Sequence, residues 1–400
     1  MNRRLALSLW LPLTMAGGTA SAVEPLRFGQ VRLGFGVGGT IAIAPEDRGY
    51  FNTIDYGLDA LRLARVSLSA DLRVAEHVAA LAEVRTDNFE TLGVYGAYLR
   101  FRPWTKRSFD VQAGLVPPVF GGFTRHPYGA GNLLIGYPLA YQYLTSLRAD
   151  AVPASADDLA RWRGGGWLVS YPIGNPSPHS GLVLVNTQSW DTGVEFRLGS
   201  SPVEAAAAVT LGSLSAPLEW EDDNGGKQVA VRVVWKPTPG LVVGVSGAGG
   251  EYLSRTVVDA LPPDQAGRRY RQWAGGLDVE YSRGYWLLRA EAIASAWDMP
   301  ALGTPPVPSR LSALALMAEG RYRLAPGWSV AARVDHLGFS QMETSHGRVT
   351  WDAPVERVEA AVSYSPERHV QVRAGYQYNW RDGGRVREEG FAVAQLLVWF

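Results

Sequence analysis

Between residues 61 and 74 the chain alternates without interruption. Ala64, Val66, Leu68, Ala70, Leu72 and Val74 occupy one phase of a two-residue repeat, and Arg65, Ser67, Ser69, Asp71 and Arg73 occupy the other. A helix would spread both sets around its circumference, but a strand sends successive side chains to opposite faces and keeps the sets apart. One face of such a strand suits an apolar medium and the other suits water. The charges belong in water, because a basic side chain at the midplane of a bilayer costs about 2–4 kcal/mol.

The same repeat recurs before this stretch, at 27–38, and after it at 78–87, 92–102 and 108–117. It then lapses over 118–189, where Pro117-Pro118, Gly121-Gly122, Pro127, Pro138, Pro153, Pro176 and Pro178 interrupt it, and it resumes at Trp190. Ten further segments follow in pairs, joined by turns such as Gly199-Ser200-Ser201-Pro202, Ser282-Arg283-Gly284 and Ala325-Pro326-Gly327, and an eleventh, 390–400, closes the chain. Taken by twos back from the end, that last segment gives Phe400, Val398, Leu396, Ala394 and Ala392, an unbroken apolar face. Short turns alternate with longer, more polar connections, as in barrels that cross a membrane with strands.

The N-terminus agrees with an exported chain. Arg3 and Arg4 precede an apolar run from Leu5 to Met15, and Ala20-Ser21-Ala22 offers a signal-peptidase site, so 1–22 reads as a secretory signal and 23–400 as the mature unit. No later segment of about 20 apolar residues could span as a helix. The chain has no cysteine, which excludes disulfides and acylation at a lipobox. Its formal charge is zero, which argues against a nucleic-acid partner.

The expected fold class is all-β: a transmembrane antiparallel β-barrel of about 16 strands, with a long inserted loop after the fifth. If 166–171 and 181–185, inside that loop, joined the wall as a hairpin, the count would be about 18, and both counts are even. The loop is rich in aromatic residues, among them Phe120, Phe123, Tyr141, Trp162 and Trp167, so it is expected to fold against something. The terminal segment is expected to pair with 27–38.

Secretory signal, alternating strands, a long loop after the fifth strand and a terminal phenylalanine together resemble the Gram-negative outer-membrane porins. More loosely, Ala113-Gly114-Leu115-Val116-Pro117-Pro118-Val119-Phe120-Gly121 resembles a Gly-x-x-x-Pro-Pro-x-x-Gly stretch of the phosphate-selective porin-like group. The terminal strand has Gln395 where those proteins often have glycine. The resemblance implies an outer-membrane channel that meets lipid on its outer face and the barrel-insertion machinery through its last strand; monomer and homotrimer both remain open.

On the inward phase lie Arg65, Arg73, Arg85, Arg100, Arg102, Arg197, Arg232, Arg289, Arg321, Arg323, Arg333, Arg357 and Arg373. Fewer carboxylates accompany them: Glu83, Glu195, Glu291, Glu319, Asp335 and Glu359. A basic wall in a wet lumen would tune ion selectivity. The alternative is pairing across strands, Arg333 with Glu319 and Arg289 with Glu291. The loop acids Asp150, Asp157 and Asp158 could face the basic wall at a constriction, as inserted loops do in porins, or lie solvated at the surface. Trp190, Trp235, Trp273, Trp286, Trp328 and Trp380 fall near strand ends, as interfacial girdles would.

Nothing points to catalysis. Gly34-Phe35-Gly36-Val37-Gly38-Gly39 fits a dinucleotide fingerprint in letters alone, with no helix pattern after it, and the six histidines have no metal-ligand spacing. Glu221-Asp222-Asp223-Asn224 reads as a solvated turn more readily than as a cation site. No enzyme activity, cofactor or metal is expected. The expected function is passive diffusion of small hydrophilic solutes with a modest preference for anions, against the alternative of a structural or surface-binding barrel whose loop plugs the lumen.

Overall fold

The computed structural model describes residues 25–400 except 30, 56–57, 105–107 and 127–128. The expected signal, 1–22, lies outside the described residues. Sixteen strands form one closed antiparallel wall. The first five are β1 Val31–Ile43, β2 Ala64–Arg73, β3 Val78–Asp87, β4 Thr91–Phe101 and β5 Ser108–Val116. After the inserted loop come β6 Asp191–Ser200, β7 Val203–Thr210, β8 Gln228–Thr238, β9 Leu241–Glu251, β10 Arg271–Arg283 and β11 Trp286–Asp298. The wall ends with β12 Arg310–Ala325, β13 Trp328–Phe339, β14 Val355–Glu367, β15 Val370–Arg381 and β16 Glu388–Trp399. Residues 166–171 and 181–185 stay inside the loop, where the Gly181 N–H donates to the Gly166 carbonyl at 2.7 Å and Val169 bridges to His179, and neither segment joins the wall, so the count is 16 and not 18.

Each neighbouring pair is antiparallel, and the sheet closes where β16 meets β1 with Gly38 opposite Trp399 and Ile43 opposite Ala394. The closing contact therefore falls on the second half of β1, not along 27–38 as expected. The Phe400 N–H donates to the Val37 carbonyl at 2.8 Å, and the Phe400 carbonyl accepts the Val37 N–H at 3.1 Å. Strands in a barrel are tilted and staggered, so the last strand meets the first above its start. The vacated lower edge of β1 is taken by a short strand, Leu26–Phe28, folded back on Val31–Leu33.

Alternation decides which face each residue takes. Along β8, Val229, Val231, Val233 and Trp235 are exposed on the outside, while Gln228, Ala230 and Arg232 are buried inside. Along β16, Ala392, Ala394 and Leu396 face outward and Phe391, Val393, Gln395 and Leu397 face inward. Trp235, Trp286 and Trp328 are exposed toward the end that carries the short turns, Trp273 and Trp380 toward the other. By the rule that outer-membrane barrels keep short turns in the periplasm, the long connections face the exterior. One exterior connection, 88–90, is short.

The inserted segment between β5 and β6 fills much of the interior. It contains the short helices α1 Leu139–Gln142 and α2 Ala156–Arg161. Its Phe120, Phe123, Tyr141, Leu147, Leu159 and Tyr171 share an apolar core with Ile293, Trp297, Leu311, Leu337, Trp351 and Val355 of the wall and the exterior loops. Asp352, in the β13–β14 loop, is fully buried and accepts the N–H groups of Ser146, Gly164 and Ala353, each at 2.7 Å. Burial pushes its carboxyl above the ordinary range, and the three N–H donors pull in the opposite direction. Asp352→Ala leaves those donors unsatisfied and should cost about 3 kcal/mol or more. Urea unfolding should shift accordingly, with faster proteolysis near Ser146 and Gly164.

Candidate permeation pathway

Backbone that enters a barrel needs partners for its peptide groups, and the wall arginines supply them. Arg333, on β13, is 1% exposed. It donates to Glu319 at 3.3 Å, Asp335 at 3.1 Å, Glu359 at 2.8 Å and the Gly136 carbonyl at 2.7 Å. Arg357, on β14, donates to the carbonyls of Phe51 at 2.8 Å and Tyr137 at 3.0 Å, and to Gln142 and Asn379. Arg373, on β15, reaches the carbonyls of Gly129, Asn132 and Leu134 at 2.8–2.9 Å. Glu359 accepts from the N–H groups of Ile135 and Gly136 at 3.0 and 2.9 Å. Residues 129–137 are thus gripped through both donors and acceptors.

These three guanidinium groups lie beneath the loop and meet its backbone rather than open water. Arg232 is likewise buried, held by Asp278 at 2.6 and 2.8 Å and by Ser246. The expected Arg333–Glu319 pair is present, but Arg289 pairs with Glu280 at 2.8 Å and Glu319 at 3.3 Å and not with Glu291. Arg289 and Glu291 sit two apart on one strand, and each reaches sideways instead. Glu291 accepts the Gly122 N–H at 2.6 Å and the Tyr141 hydroxyl at 2.8 Å. Gly121 beside it has φ +68°, and a Cβ there would collide with both the Tyr141 hydroxyl and Glu291.

Open space remains along β1–β4. Two cavities of about 580 Å³ each lie one above the other. The exterior one is bounded by Asp87, Glu90, Asp150 and Glu219, and the periplasmic one by Ser67, Ser69, Asp71, Glu83 and Tyr98; Arg85 lines both. Between them lies a polar layer. Arg65 donates to both Asp87 oxygens at 2.7 and 2.8 Å, to the Tyr137 hydroxyl and to the Gln188 side chain at 3.2 Å. Arg85 donates to the Gln188 carbonyl at 2.6 Å and lies 3.9 Å above the Tyr95 ring. Gln188, from the end of the inserted loop, is therefore clasped between two arginines.

A β-bulge makes this layer. The register shifts where β3 and β4 pair, between Glu83 opposite Gly96 and Val84 opposite Val94, leaving Tyr95 as the extra residue. Tyr95 turns inward beside Gly96, and its hydroxyl donates to the Thr187 carbonyl at 2.8 Å. A Cβ on Gly96 would collide with the ring of Trp190, which lies 5.0 Å from the Tyr95 ring. Trp190 thus points into the lumen, apart from the girdle to which its place near a strand end assigned it; it precedes β6 and is not held to that strand's alternation. No pattern in the sequence marks Gln188 or Tyr95, and a bulge is the one signal that alternation hides.

The remaining arginines lie toward the periplasmic rim. Arg73 is exposed, Arg100 half-buried, Arg102 meets Asp110 at 3.4 Å and Arg197 meets Glu195 at 2.6 Å; Arg321 and Arg323 sit near the end of β12. Of the loop acids, Asp150 borders the exterior cavity. Burial pushes its carboxyl up, but Arg148 at 2.7 Å and Asn175 at 2.9 Å outweigh this and hold it below the ordinary range. Asp157 is half-buried and accepts from Ser345, while Asp158 caps the Ala154 N–H at 3.1 Å, so α2 carries both away from the two cavities. Asp222, of the acidic turn, is met by Lys227 and Arg255, and no cluster of metal-ligating side chains occurs among the described residues.

A closed 16-strand wall with a loop folded into its lumen from between β5 and β6 defines a porin-type outer-membrane β-barrel. No family model and no curated protein matches the sequence. Solved structures do. A loop-deletion form of OmpT, an outer membrane protein of Vibrio cholerae, aligns with TM-score 0.55 at 12% identity over 93% of this chain and 100% of that one. The anion-selective porin from Comamonas acidovorans aligns at 0.54 and 10% identity, covering 92% and 99%. The outer membrane channel DcaP of Acinetobacter baumannii gives 0.54 and 10%, covering 94% and 100%. At these identities the likeness is one of fold.

Arg373→Met strips three carbonyls of residues 129–134 of their donor and should lower stability by about 2–4 kcal/mol. Hydrogen exchange should quicken at least about tenfold in 129–137, while amides of the β7–β9 wall keep their protection.

Proposed function

We propose that the protein is a passive diffusion channel for small hydrophilic solutes, and that the route runs along the β1–β4 wall. The observation that carries this reading is the stacking of two cavities that meet at the Arg65–Gln188–Arg85 layer, the periplasmic one lined mostly by apolar groups but with Ser67, Ser69, Asp71 and Glu83 along one side. Glu90, in the short connection 88–90, and Gly93 beyond it line the outer cavity. A modest preference for anions draws support from Arg73, Arg100, Arg321 and Arg323 near the periplasmic rim, since the arginines of β13–β15 are occupied by the loop. An even number of antiparallel strands with an apolar outer surface supports lipid as the outer partner, and the terminal Phe400 supports recognition of the last strand by insertion machinery. One similar structure is described as a trimer form, and a homotrimer is the assembly we propose here.

The second reading, a barrel plugged by its own loop, draws on the apolar core that fills the β11–β14 side. Planar-bilayer recording separates them. The channel reading expects stepwise conductance from the purified protein, and Gln188→Gly, which removes the side chain clasped by Arg65, should raise the single-channel value by about half or more. Current that appears only after shortening of 118–189 would favour the plug. A reversal potential in a tenfold KCl gradient reads the anion preference, which should fall when Arg73 and Arg100 are changed to Gln.

A further inference from the structure

The two ends of the route differ in charge. At the exterior cavity Asp87 is paired with Arg65, and Asp150 with the buried Arg148, which leaves Glu90 and Glu219 at the rim without a basic partner among the described residues. At the periplasmic end the register produces the opposite sign. Arg27 stands opposite Arg32, Arg32 opposite Arg73, and Arg73 and Arg100 both stand opposite Ala79. Arg32 and Arg73 continue the inward phase of Gly34 and Asp71, which border the periplasmic cavity. Asp71 and Glu83, which border the periplasmic cavity, and the turn residue Glu76 offset part of this row. Like charges directly across a ladder repel, so Arg27, Arg32 and Arg73, with Arg100 one strand further on, require water and counter-anions around them.

We propose that this charge asymmetry makes the pore a rectifier, holding cations in its exterior half and anions in its periplasmic half. The inference rests on the diffusion-channel reading and adds a direction to it. When the exterior is positive, cations enter through the acidic half and anions through the basic half, so both accumulate where the halves meet and conductance rises. When the polarity reverses, each ion must enter past like charge, the meeting zone is depleted, and conductance falls. The screening length is about 30 Å in 0.01 M salt and about 3 Å in 1 M. The first exceeds the roughly 25 Å height of a barrel's apolar band, so each half controls its full length only in dilute salt.

Purified full-length protein, added from one side of a planar bilayer and oriented by protease access to the long loops, tests this in KCl. At 10 mM the current at 100 mV exterior-positive should exceed that at the opposite polarity by about twofold or more, and the ratio should approach one at 1 M. The double variant Glu90→Gln/Glu219→Gln and, separately, Arg32→Gln/Arg73→Gln should each bring the 10 mM ratio toward one. A conducting pore with a symmetric response at 10 mM overturns the proposal, as does rectification unchanged in both variants or of opposite sign. Absence of current at every salt overturns the channel reading and this inference with it.

Discussion

The inside of this barrel depends on one interaction: buried guanidinium groups bonded to backbone carbonyls of a loop. A loop entering a wall of strands brings peptide groups that have lost water, and each unsatisfied one is costly. Arg357 and Arg373 satisfy several at once because a guanidinium has five donors in a fixed fork. Their own burial is tolerated for the same reason. Arg333 shows the limiting case, with three carboxylates and one carbonyl around a fully enclosed side chain. A buried pair of this kind need not add net stability, but removing one member strands the other.

That interaction divides the lumen. Where the loop is held, on the β11–β15 side, aromatic and aliphatic side chains from loop and wall close into a water-poor core. Where it is not, along β1–β4, small inward residues leave room: Gly34, Gly36, Gly38, Ser67 and Ser69 border the periplasmic cavity. The open route and the filled core are two consequences of the same placement. The bulge at Tyr95 and the insertion of Trp190 against Gly96 narrow the route at one level, and Gln188 completes that level from the loop.

Much of this was legible in the residues. Alternation marked the wall strands, and the arginines share one phase of it. It did not say what they would meet. Arg333 and Arg73 look alike in the sequence, each on the polar phase of a strand, yet one is enclosed by carboxylates and loop backbone while the other is exposed. The acids Asp157 and Asp158 were reasonable candidates for a constriction, but Ser155 caps α2 through the Asp158 N–H at 3.2 Å and the short helix carries them elsewhere. Gln188 had no pattern to betray it.

What the sequence determined by itself is the wall: a two-residue period, with charges on one phase only, admits a strand between lipid and water and little else, and the turn spacing closes the strands into a barrel. Tertiary structure alone decided how the lumen is used. Which arginine is consumed by the loop, which carboxylate faces the route and where the narrowing falls depend on contacts between residues up to about 340 positions apart, such as Arg48 with Glu389. A period of two encodes a face, and only the folded loop assigns what that face meets.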